Sequence, residues 1–73
     1  MVIRYFANLR ELRGCESERI ELPEGSTAGS AYAHLGLPAA LPVAHAVNYE
    51  RVAASTPLAE GDEVAFLPPL GGG

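Results

Sequence analysis

The 73-residue chain predicts an α+β fold, a mixed sheet with one helix packed across one face. Three observations predict it. Near the front, Ile3, Tyr5 and Ala7 alternate with Arg4 and Phe6, the period of a strand that buries one face. At the other end Glu63-Val64-Ala65-Phe66-Leu67 shows the same period. Between them Ala28, Ala31, Tyr32 and Leu35 fall at i, i+3, i+4 and i+7, one face of a helix. Period two at both ends around a single helical stretch is an α+β pattern.

The elements follow in order. Val2 to Asn8 reads as the first strand, broken at Arg13-Gly14-Cys15. Ile20 and Leu22 then alternate with Arg19 and Glu21 until Pro23 stops a second strand, and the short connection implies an antiparallel hairpin. Pro23-Glu24-Gly25 is a turn, and Ser26 or Thr27 can accept from the free N–H groups that open the helix. Gly36 suits the left-handed position after the helix, and Pro38 forbids its continuation. A helix this short, with Gly29 inside it, needs packing on the sheet to exist. Residues 37–42 form an irregular connector. Val43 to Asn48 and Arg51 to Ala54 read as short strands around Asn48-Tyr49-Glu50. Leu58-Ala59-Glu60-Gly61-Asp62 turns into the last strand, Glu63 to Leu67, and Pro68-Pro69 ends the sheet.

Composition narrows function. A chain of this length buries roughly 60% of the surface that it would expose unfolded, enough for one core but little more. That leaves one domain, residues 1–69, with a flexible glycine tail at 70–73, and argues against a self-sufficient enzyme. Nine acids against five bases, net charge −4, oppose nucleic acid and anionic membranes as partners. All five bases are arginines, so no side chain can form a Schiff base or accept an isopeptide bond. Cys15 is alone, which excludes an intrachain disulfide and suits a reducing cytoplasm. With no His or Lys near it in sequence, it reads as an incidental thiol. His34 and His45 lack acids or cysteines at ligand spacing, so a metal site is not expected. No bound cofactor is expected either. No stretch resembles a signal peptide or a membrane span. Glu60, Asp62 and Glu63 form an acidic turn that could steer a basic partner.

The last residues are Leu70-Gly71-Gly72-Gly73, without charged side chains, beyond a proline stalk. Glycines let a thin chain enter a narrow channel and let a terminal carboxylate approach a phosphate closely. On an arbitrary domain such an end is more often simply frayed, so the glycines alone are weak evidence. Further motifs add weight to the first reading. Phe6-Ala7-Asn8-Leu9-Arg10-Glu11-Leu12-Arg13-Gly14, Ala46-Val47-Asn48 and the block from Leu58 through Gly61-Asp62-Glu63-Val64 and Pro68-Pro69 to Gly72-Gly73 resemble the small subunits of molybdopterin synthase. That family consists of ubiquitin-like β-grasp sulfur carriers, so the resemblance implies a β-grasp sheet with one helix across it.

The resemblance also implies a mechanism. An ATP-dependent activating enzyme adenylates Gly73, a sulfur donor system converts it to a thiocarboxylate, and the tail at Gly71 and Gly72 enters the large catalytic subunit. Sulfur then passes to a pterin precursor of the molybdenum cofactor. The chain is thus expected to be a co-substrate, not the catalyst. The sulfur carrier for thiamine thiazole formation is the nearest rival, and Pro68-Pro69 with Arg10-Glu11-Leu12-Arg13-Gly14 favours the molybdopterin assignment. A ubiquitin-type modifier and a plain interaction module with an inert end are further alternatives.

Strand alternation adds a partner surface. If Ile3, Tyr5, Val64 and Phe66 face the helix, Phe6 and Leu67 face away from it. The first and last strands of a β-grasp sheet are adjacent and parallel, so Phe6 and Leu67 are expected to share an apolar patch at the root of the tail. Pro68, Pro69 and Leu70 extend that partner-binding surface toward the glycines.

Overall fold

The computed structural model describes residues 1–68. Its elements run β1 (Val2–Tyr5), α1 (Ala7–Arg13), β2 (Ser17–Arg19), α2 (Ala28–His34), β3 (Ala44–Val47), β4 (Glu50–Val52) and β5 (Glu63–Leu67). The strands form one mixed sheet in the order β2-β1-β5-β3-β4. β1 and β5 are parallel neighbours at its centre, in the register Val2↔Glu63 through Tyr5↔Phe66. The other three pairings are antiparallel.

Alternation in the central strands sets the core. Ile3 and Tyr5 on β1 and Val64 and Phe66 on β5 are buried, and Leu9, Ala31, Tyr32 and Leu37 close over them. Tyr32 of α2 meets Phe66 edge-on at 5.2 Å between ring centroids, and His45 of β3 meets the same ring at 5.7 Å. These T-shaped contacts fix how α2 lies across the sheet. Thr27 opens α2 with a reciprocal cap: its Oγ1 accepts from the Ser30 N–H at 3.1 Å, and its own N–H donates to Ser30 Oγ at 2.8 Å. Gly36, at φ +70°, takes the chain out of the helix. The Tyr32 hydroxyl donates to the Pro38 carbonyl at 2.7 Å and ties the following connector to α2.

The expected mixed sheet with a helix across one face is present, and β5 has the predicted bounds. Three local expectations are corrected. The first strand ends at Tyr5 rather than Asn8, because Phe6 caps a second helix and Ala7 turns the chain with φ +52°. The segment expected to be a plain hairpin connection is therefore α1, which seats Leu9 in the core and ends at Gly14 with φ +75°. The second strand lies at Ser17–Arg19, ahead of the expected Ile20 and Leu22. Those two side chains still pack against the core, and the Ile20 N–H donates to the Met1 carbonyl at 3.0 Å.

Candidate docking face and tail root

The same alternation that buries Val64 and Phe66 turns Glu63, Ala65 and Leu67 to the opposite face of β5. On β3, His45 lies against the core rings while Ala46 pairs with Ala65 on the outer face. Arg4 stands beside Ala65 in the parallel register. Tyr5 pairs with Phe66, so Phe6, one residue on, reaches the level of Leu67. The outcome is an outer-face groove of about 270 Å³ lined by Arg4, Phe6, Ala46, Tyr49, Glu63, Ala65 and Leu67.

Small and large side chains shape it. Ala46 and Ala65 form the floor, and Phe6, Leu67 and Tyr49 stand around it. Phe6 is 40% exposed and Tyr49 82%, unusual exposure for aromatic rings in so small a domain. Arg4 Nη1 donates to Glu63 Oε1 at 2.8 Å along one side. That hydrogen bond holds the Glu63 carboxyl below its ordinary pKa and the Arg4 guanidinium above its own. An exposed pair of this kind adds little stability, but it fixes Arg4 and Glu63 at the groove wall.

Phe6 and Leu67 are thus brought to one groove, beside the point where the chain leaves β5. Pro68 is buried at that point. Pro69, Leu70, Gly71, Gly72 and Gly73 lie outside the described residues. Tyr49 and Ala46 line the groove without having been singled out for it from sequence. The available signal was the two-residue spacing between β3 and β4, which places residue 49 at a hairpin tip.

The ThiS family model matches residues 3–73. The chain belongs to the ThiS family. Among solved structures, SAMP1 from Haloferax volcanii is 26% identical with a TM-score of 0.78, covering 99% of this chain and 97% of that one. The Haloferax volcanii HVO 2177 protein is 28% identical with a TM-score of 0.84, covering 99% and 84%. A Pyrococcus furiosus protein described as molybdopterin converting factor, subunit 1, is 29% identical with a TM-score of 0.77, covering 94% and 95%. The chain therefore has the fold of the ubiquitin-like sulfur carriers and of the small archaeal modifier proteins.

Several of the other candidate residues of this ThiS-family chain have structural roles. Asp62 Oδ2 accepts from the Ala59 N–H at 2.8 Å, and its Oδ1 accepts from Asn48 Nδ2 at 3.1 Å. Glu63 is committed to Arg4, so of the acidic turn only Glu60 has neither a hydrogen bond nor an ion pair among the described residues. Cys15 Sγ donates to Glu18 Oε2 at 3.3 Å. Burial and that carboxylate push the thiol pKa up, the opposite of an activated nucleophile. Glu18 is also gripped by Arg13, through Nη2 at 2.9 Å and Nε at 3.3 Å. Arg13 Nη1 donates to the Leu35 carbonyl at 3.3 Å, so one guanidinium joins α1, β2 and the end of α2. His34 is exposed at the end of α2. Among the described residues no three His, Cys, Asp or Glu side chains gather around a common point. No helix there is long and apolar enough to cross a membrane.

Proposed function

We propose that this chain is a sulfur-carrier protein, the small subunit of a molybdopterin synthase, whose working group is the C-terminal carboxylate of Gly73. The observation that carries the reading is the family match running through the Gly72-Gly73 end, joined to an apolar outer face beside the root of that tail. The likeness to a molybdopterin converting factor subunit supports the choice within the family.

A carboxylate is a poor electrophile. Attack of the Gly73 carboxylate on the α-phosphate of ATP, with pyrophosphate leaving, gives an acyl-adenylate whose AMP is a good leaving group. A persulfide of the donor system displaces AMP to give an acyl disulfide, and a second thiolate of that system attacks the donor's sulfur, forming a disulfide with it and releasing the terminal thiocarboxylate. Gly71 and Gly72 then carry the sulfur into the active site of the large subunit, where it passes to the pterin precursor. The domain binds no cofactor of its own in this scheme. Phe6 and Leu67, with Pro69 and Leu70 beyond the buried Pro68, form the surface on which the activating enzyme and the large subunit dock in turn.

Two neighbouring readings have an observation each. The family name covers the thiazole sulfur carrier of thiamine synthesis, and two of the similar structures are of an archaeal modifier protein. Intact mass spectrometry of the protein from its native host separates carrier from modifier. A carrier gains the mass of one oxygen exchanged for one sulfur at Gly73, whereas a modifier is found in isopeptide linkage to lysines of other proteins. Loss of molybdoenzyme activity on deletion of the gene supports the molybdopterin role, and thiamine auxotrophy alone supports the thiazole role. A tail never modified under any growth condition overturns all of them.

A further inference from the structure

The β3–β4 connection consists of Asn48 and Tyr49, with Val47 paired to Glu50 on either side. Both residues have positive φ, +51° and +69°. Two consecutive positive φ values in a two-residue hairpin are the requirement of a type I′ turn, for which Asn-Gly is the favoured pair. Asn48 meets that requirement with help. Its N–H donates to the Glu63 carbonyl at 2.8 Å, and its Oδ1 accepts from the Glu63 N–H at 3.0 Å. Its Nδ2 holds Asp62, as described above.

Tyr49 has no such anchor in its backbone. An aromatic residue stands where glycine is unstrained, with 82% of its surface exposed, so the ring contributes little to the core. Strained backbone of this kind persists where the side chain serves something else. The ring lines the outer-face groove, which runs from Leu67 past Ala65 to Glu63, about 13 Å along β5.

A protein that takes in the tail meets this face first, because α1 and α2 already cover the other one. A stable footprint occupies about 800 Å² per partner, more than the few residues of a tail supply, so it must spread along the groove. On β4, Arg51 stands directly opposite Ala46 and so flanks the alanine floor. Among the described residues Arg51 makes no ion pair.

We propose that Tyr49 is a docking anchor for the tail-receiving protein, here the large synthase subunit. The partner lays apolar side chains along the groove, from Phe6 and Leu67 at the tail end to Tyr49 at the Glu63 end, and offers a carboxylate to Arg51. The inference rests on the sulfur-carrier reading. It explains why the hairpin keeps tyrosine where glycine would relieve it.

The test compares wild type with Tyr49→Gly and Tyr49→Phe, by thermal melting and by calorimetric titration with the purified large subunit of the same host. Tyr49→Gly is expected to melt about 5 °C higher and to bind at least about tenfold more weakly. Tyr49→Phe keeps the ring and is expected to bind within about threefold of wild type. Binding of Tyr49→Gly as tight as wild type, or a lower melting temperature than wild type, overturns the assignment. The reading beneath it fails separately, by the absence of any thiocarboxylate on the wild-type chain from its host. A thiocarboxylated chain that does not bind the large subunit overturns the choice of partner, and with it the role of Tyr49.

Discussion

At His45, burial beside Tyr32 and Phe66 lowers the imidazole pKa from its ordinary value of 6.5. The folded state therefore resists a proton that the unfolded chain accepts, and stability falls as pH drops below about 6.5. Above that value the residue is neutral in both states and contributes no pH dependence. Thermal melts from pH 7.5 to pH 5 are expected to show a declining melting temperature that His45→Phe largely removes. The carboxylates act in a separate window. The Arg13 hydrogen bonds hold Glu18 below its ordinary 4.5, so its stabilising contribution is present above that pH and is lost only below it. Tyr5 offers a second residue-level test. Its hydroxyl is buried without a hydrogen-bond partner, and burial, partly offset by Arg13, pushes its pKa up to about 12. A buried donor left unmade is unfavourable, so Tyr5→Phe is expected to raise stability by about 1 kcal/mol in urea denaturation. A loss of similar size would mean that the hydroxyl has a partner in solution.

Among the elements, α2 is held by a close approach. The Gly29 N–H donates to the Ala54 carbonyl at 2.8 Å, and a Cβ at position 29 would stand 3.0 Å from Ala54 Cβ and 3.2 Å from Ala54 O. Gly29→Ala therefore sets a gain of about 1 kcal/mol in helix propensity against a larger clash. The expected net result is a loss of about 1–2 kcal/mol, read as a lower urea midpoint. This element was largely legible in the sequence, because its periodicity, the Thr27 cap and Gly36 all point to the same bounds. β5 was legible for a similar reason: five alternating residues lie between an acidic turn and a proline pair. α1 was not. Of its seven residues only Leu9 is buried, Leu12 is 60% exposed, and no side chain caps its start at Phe6. A helix with one core residue has no amphipathic period to read, and Gly14, which ends it, carries the same signal as a hairpin turn. The register of β2 was illegible because Ile20 and Leu22 bury themselves through loop packing, whereas the paired residues Ser17, Glu18 and Arg19 are polar. In the candidate site, alternation disclosed Phe6 and Leu67. Tyr49 was hidden because a positive φ at a tyrosine is a property of the folded hairpin, not of the residue type.

For the molecule as a whole, the parallel pairing of β1 with β5 decides the layout. It sets the end of β1, with Phe6, beside the end of β5, with Leu67, and it places the N-terminal ends of both strands together at the opposite end of the sheet. Among the described residues the buried core lies between Ile3 and Phe66. Removing Gly72 and Gly73 is therefore expected to leave the melting temperature unchanged while abolishing thiocarboxylate formation, with native mass spectrometry and a thermal melt as the two readouts. The proposed docking face is probed without touching the tail by the double variant Phe6→Ala with Leu67→Ala. Both side chains lie on the outer face, away from the Tyr32–Phe66 contact, so the fold should persist with a melting temperature lowered by about 5 °C. Their loss opens the tail end of the groove, and affinity for the large subunit should fall by about thirtyfold or more. The variant keeps Gly73, so adenylation at saturating activating enzyme measures whether the tail itself still works. Weak docking with intact adenylation is the signature of a surface that recruits partners while the main-chain terminus performs the chemistry. Unchanged affinity would place the docking surface elsewhere on the domain.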